Sequence, residues 1–128
     1  MISRALLGPL AALGLLAAAN AAAQPTLSGP GAWLPRGTAE LTALDKVRAA
    51  PTNLAVPVGQ SVRYGSLTIR VRGCVVRPAD QPRDAAAFLD VTDSQPGGAS
   101  FSGWMVANAP ALGVLEHPIY DLRVASCR

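Results

Sequence analysis

Apolar and polar side chains alternate with a period of two along much of the second half of this chain. Leu67, Ile69 and Val71 interleave with Thr68, Arg70 and Arg72, and Tyr120, Leu122 and Val124 interleave with Asp121 and Arg123. Successive side chains of a strand point to opposite faces, so the pattern predicts strands with one face in a core and one in water. LAVPV (54–58), AAAFLDVTD (85–93) and FSGWMVANA (101–109) read as further strands. Gly59-Gln60-Ser61 and Pro96-Gly97-Gly98 read as turns. Gly73 interrupts the alternation, which points to a bulge there or to burial of both faces beyond it. Short strands with frequent turns predict an all-β domain, a small antiparallel sandwich or barrel of five to seven short strands.

Residues 38–49 fit two elements. Leu41, Leu44 and Val47 stand at helical spacing, so a short helix is one reading, and a strand running through Leu44 to Ala49 is the other. Pro51 is expected to end either one. Residues 24–37 are rich in proline and glycine and lack periodicity, which predicts an extended lead-in to a single β domain over 38–128. Trp33 stands out within that lead-in and reads as a latch onto the edge of the domain.

The first twenty-three residues have a different character. Arg4, an apolar run from Ala5 to Ala19 and the small-residue close Ala21-Ala22-Ala23 have the layout of a signal peptide cut before Gln24. The run is shorter than the ~20 residues of a membrane-spanning helix and contains Gly8, Pro9 and Gly14. The expectation is an exported, periplasmic protein with no membrane span after cleavage. Residues 24–128 suit one small domain that buries roughly two-thirds of its unfolded surface.

Cys74 and Cys127, the two cysteines of the chain, read in that compartment as one structural disulfide. On the chain-entropy description such a link contributes ~4 kcal/mol, less any native strain. Neither a four-ligand metal spacing nor a Cys-x-x-Cys redox pair is present, which leaves two free thiols as the alternative. Period-two counting puts each sulfur opposite its strand's main apolar row unless Gly73 shifts the phase. If the two strands are neighbours, an antiparallel register sets Val76 opposite Ala125, whereas a parallel one opposes Arg70 and Arg123.

Charge narrows the partners. The formal net charge is only +3, with eleven Lys and Arg against eight Asp and Glu, and Arg4 falls in the leader. Lys46 is the one lysine and the arginines are scattered along the chain, so nucleic acid is not an expected partner.

The densest polar cluster is EHPIYD, Glu116 to Asp121, which holds the single histidine, His117. Catalysis there would pair His117 with Asp121 or Glu116 and reach a nucleophile such as Ser100 or Ser102. No nucleophile motif supports this. The bland reading is that Pro118 and the imidazole fix a loop that opens a strand. A lone histidine with Glu116 and Asp121 is too poor in nitrogen and sulfur for a typical metal site, and no cofactor is expected. Asp90 and Asp93 lie on opposite faces of one strand, and Asp93-Ser94 reads as a turn former. Trp104, beside Phe101 and Met105, is either core or an exposed recognition site; Trp104, Trp33 and Tyr120 together are the candidate interaction surface.

WLPRGTAELTALDKVRA, VPVGQSVRYGSLTIRVRGCVVRP, AAFLDVTD and FSGWMVANAPALGVLEHPIYDLRVASC together resemble an exported bacterial family, domain of unknown function 2155. The likeness covers about residues 33–128. It implies a single envelope domain with cysteines at the positions of Cys74 and Cys127, and it supplies no catalytic residues. The expected function is a non-enzymatic periplasmic binding or structural module whose partner is an envelope protein or glycan. The alternatives are a small periplasmic hydrolase using His117, or an inhibitor of an envelope enzyme that presents loop 78–84 or 94–100.

Overall fold

The structure, a computed structural model, describes residues 32–128 and three isolated positions before them. The signal-peptide reading of residues 1–23 therefore lies outside the described stretch. Eight strands follow one another: β1 (Leu34–Pro35), β2 (Thr38–Asp45), β3 (Ala50–Pro57), β4 (Ser61–Tyr64), β5 (Leu67–Val76), β6 (Ala85–Asp93), β7 (Phe101–Val106) and β8 (Tyr120–Cys127). A single 3-10 turn, Pro110–Leu112, is the one helical element among the described residues. No described helix is long and apolar enough to cross a membrane.

The strands form two antiparallel sheets. Sheet A has the order β1-β5-β6-β7, with β4 pairing to β5 on the side that β1 also occupies, and sheet B has the order β3-β2-β8. The core lies between them: Leu67, Ile69, Val71, Leu89 and Val91 of sheet A are at most 1% exposed, and Ala39, Leu41 and Ala43 of sheet B match them. The expected sandwich is thus present, with eight strands rather than five to seven. The surplus includes the two-residue β1, which draws part of the lead-in into the sheet through Leu34 opposite Val76.

The ambiguous segment 38–49 is a strand only over Thr38–Asp45, and residues 46–49 form a turn, so the strand does not run on from Leu44 to Ala49 as expected. Ala39, Leu41 and Ala43 point inward at period two, whereas the helical alternative would have needed Val47, which is 78% exposed. Asp45 ends the strand by accepting the amide hydrogens of Val47 (2.9 Å) and Arg48 (3.1 Å), a side-chain turn that folds the chain back. Pro51 does not terminate the element; it pairs with Leu44 inside β3. Proline is tolerated there because β3 is the edge of its sheet, where a missing N–H leaves no partner unbonded.

Two bulges decide where the sulfurs go. Between Val71 and Gly73 the pairing with β6 shifts by one residue, leaving Arg72 extra, and between Val124 and Ser126 the pairing with β2 shifts likewise, leaving Ala125 extra. Each insertion reverses the phase, so Val71 and Cys74 both face the core, as do Val124 and Cys127. The count that put both sulfurs opposite the apolar rows is therefore overturned, through the shift foreseen at Gly73 and an unforeseen one at Ala125. Cys74 and Cys127 form a disulfide with Cα atoms 5.8 Å apart. β5 and β8 are not neighbours, so neither proposed register exists; the bond crosses from one sheet to the other.

Candidate functional site

The sequence nominated His117, and the structure gives it a carboxylate other than Glu116 or Asp121. Its ring is packed at one end of the sandwich, where the side chains of His117 and Asp93 are 4% and 2% exposed and Nε2 lies 2.7 Å from Asp93 Oδ2. Nδ1 accepts hydrogen bonds from the backbone N–H groups of Ile119 (3.0 Å) and Tyr120 (3.1 Å). Two donors on Nδ1 place the ring hydrogen on Nε2, which donates it to Asp93. Asp121 is engaged elsewhere, 3.2 Å from Arg123 Nε, and Glu116 is exposed.

Asp93 performs two tasks at once. Its Oδ1 accepts the amide hydrogen of Gln95 at 2.9 Å, the turn role expected of it. That bond, the one from His117 and one from the Ser66 hydroxyl lower its pKa to about 2. The His117 carbonyl also accepts a hydrogen bond from Lys46 Nζ at 2.5 Å, and Lys46 N–H donates to the Ile119 carbonyl at 2.8 Å. Tyr120 completes the cluster, its ring 5.0 Å from the imidazole and edge-on to Tyr64 at 5.4 Å. The hydroxyl of Tyr120 lies against Gly65, where a Cβ would overlap it and where φ is +56°. A side chain at that position is disfavoured on both counts.

This constellation works as a clasp. A hydrolytic triad needs one imidazole nitrogen on the carboxylate and the other facing a nucleophile. Here both nitrogens are bonded within the fold, and Ser102 lies on the far face of sheet A, its hydroxyl donating to Asp90 Oδ1 at 2.6 Å. The clasp ties the end of β6, the β4–β5 turn and the Lys46 turn to the segment that leads into β8. Beside it lies a cleft of about 880 Å³ bounded by Ser66, Asp93, Glu116, His117 and Tyr120. Among the described residues no group of three or more His, Cys, Asp or Glu side chains could hold a metal ion.

The second candidate is the outward face of sheet A. Register places Gly73, Phe88 and Trp104 side by side across β5, β6 and β7. Trp104 stands edge-on to Phe88, centroids 5.5 Å apart at 89°. Its ring reaches to 3.6 Å from where a Cβ on Gly73 would sit, so the bulge glycine leaves room for the indole. The Arg72 guanidinium lies 5.1 Å over the Phe88 ring and 3.5 Å from Asp90. Trp104 is half-buried, whereas Phe101 and Met105, grouped with it by sequence, face the core.

Of the three residues read as an interaction surface, only Trp104 stands on this patch. Trp33 is half-buried at the β1 edge with the Arg77 guanidinium 4.0 Å above its ring, the latch expected of it. Tyr120 belongs to the clasp. The alternation marks Arg70 and Arg72 as outward, but their meeting with Phe88 and Trp104 on one face depends on strand order, which the sequence does not carry.

The family described as "Uncharacterized protein conserved in bacteria (DUF2155)" matches residues 39–127, from the first inward residue of β2 to the disulfide cysteine of β8. The chain belongs to DUF2155. Within DUF2155 terms the matched span includes both sheets, the clasp and both cysteines, and omits β1 with Trp33. A relative described as "Uncharacterized protein RP359", from Rickettsia prowazekii (strain Madrid E), is 26% identical over 92 residues. The match covers 69% of this chain and 59% of that relative's length. No solved structure matches this DUF2155 protein.

Proposed function

We propose that the protein is an exported periplasmic module that holds a partner of the cell envelope on the outward face of sheet A, without catalysing a reaction. The observation that carries this reading is the half-buried Trp104, set edge-on to Phe88 on the outward face of sheet A, where the Arg72 guanidinium lies over the Phe88 ring. Aromatic and arginine side chains dominate recognition surfaces because they offer large, stiff contact area together with a polar handle. The leader-like residues 1–23 and the inter-sheet disulfide support export into an oxidising compartment.

The test is a photo-crosslinking amino acid introduced at Thr92, an exposed position on the same face, in cells that are then fractionated. Adducts in the periplasmic fraction that disappear in Trp104→Ala, with that variant still folded, are the expected result. Adducts that form equally well from Arg48, on the exposed β2–β3 turn, and ignore Trp104, or a protein retained in the cytoplasm, contradict it.

A further inference from the structure

The outward face of sheet A has a sign as well as a shape. Alternation along β4 and β5 puts Arg63 and Arg70 on this face: their neighbours Val62, Tyr64, Ile69 and Val71 turn to the core, and Arg70 pairs with Ser61 on one side and Asp90 on the other. Arg72, the extra residue of the bulge, joins them through its contacts with Phe88 and Asp90. Asp90 is the one carboxylate at an outward position of β4 to β7, and it is already held by the Ser102 hydroxyl and by Arg72. Among the described residues Arg63 and Arg70 have no ion pair or hydrogen bond from their side chains. Three of the scattered arginines thus share this face, Arg72 at the Phe88 ring and Arg70 and Arg63 further along it, and the unneutralised charge of the face is positive.

The backbone of this face narrows the ligand further. β5 is paired by β6 on one side and by β4 and β1 on the other, and β6 is paired by β5 and β7, so their N–H and C=O groups are committed to the ladders. An extended peptide gains affinity chiefly by adding main-chain hydrogen bonds at an open edge, which sheet A leaves at its margins, β7 included, so a ligand lying across the middle of the face, over Gly73 and Phe88, is held by side chains. The face offers a flat aromatic ring with cations further along it. That combination suits a ligand with apolar ring faces and anionic substituents.

Resting on the binding reading above, we infer that the face takes an acidic polysaccharide. A sugar ring lies with its C–H face on Trp104, and the carboxylates carried by the chain are received by the unpaired Arg70 and Arg63. Gly73 keeps the ground beside Trp104 low.

The purified, disulfide-bonded protein is titrated calorimetrically with four probes. These are polygalacturonate, its fully methyl-esterified form with the same rings and no charges, polyglutamate with charges and no rings, and oligothymidylate with charges and flat bases. Polygalacturonate is expected to bind in a salt-sensitive manner and the other three much more weakly. Arg70→Gln and Trp104→Ala are each expected to weaken binding by about tenfold. Arg70 is exposed and unbonded, so its variant folds and reads binding alone, even if Trp104→Ala does not fold. Equal binding of the methyl ester, or no effect of Arg70→Gln, overturns the anionic part. Equal or tighter binding of polyglutamate or oligothymidylate overturns the sugar part, and binding of no probe overturns the ligand class. None of these results touches the crosslinking from Thr92, which tests the binding face separately.

Discussion

At the scale of single residues, Asp93 couples the fold to acid. Its carboxylate sits at about 2 rather than 3.8, because the Gln95 amide, the His117 ring and the Ser66 hydroxyl all favour the charged form. The folded value lies below the unfolded one, so the stability it contributes is complete above about pH 4 and is lost as pH falls toward 2. Acid unfolding followed by circular dichroism should therefore steepen across that window in the natural protein and flatten in Asp93→Asn. His117→Ala strips the acceptor from two backbone N–H groups and should cost ~1–3 kcal/mol in urea unfolding. An unchanged midpoint for His117→Ala would mean that the clasp does not hold the approach to β8. The sequence pointed to His117 as a loop-fixing residue and to Asp93 as a turn former, and both roles are present. What it could not reveal is their meeting, since Asp93 and His117 lie 24 positions apart and are brought together only by the sandwich.

At the scale of elements, strands were legible wherever burial is one-sided. Leu67, Ile69 and Val71 announce β5 because the sheet has a dry face and a wet one. β2 was ambiguous because its inward row is partly alanine, and small side chains leave the larger Leu41, Leu44 and Val47 to suggest a helical stripe. β3 was obscured by Pro51, which is a breaker within a sheet and harmless on its edge. The β4–β5 hairpin depends on Gly65: Gly65→Ala forces a side chain into the left-handed region and into the Tyr120 hydroxyl, and should lower stability by ~1–3 kcal/mol. In the middle of sheet A, Leu89→Ala removes a fully buried side chain and should cost ~2–5 kcal/mol, measurable as a lower denaturant midpoint with an unchanged m-value. A Leu89→Ala cost below 1 kcal/mol would contradict the close packing described for this core.

At the scale of the whole molecule, two sheets of limited area share one core and one covalent staple. The bond between Cys74 and Cys127 closes a span of 53 residues, and its reduction should remove ~4 kcal/mol on the chain-entropy description. Thermal unfolding with and without reductant, or of a Cys74→Ala/Cys127→Ala double variant, measures this; a shift of only a degree or two would assign stability to the core alone. The all-β class was accessible from the alternation and the pairing of the cysteines from their even number and the leader-like first residues, whereas the route of the bond across the sandwich was not, because it rests on two interruptions of the pleat. Those interruptions make oxidation a parity check on strand alignment. Deleting Arg72 or Ala125 alone turns one sulfur to the solvent side while its mate stays inside, and deleting both sends the sulfurs away from each other on opposite outer surfaces. A closed bond therefore certifies that both sheets have settled in their proper alignment, and a simple count of reactive thiols reports any chain that has slipped.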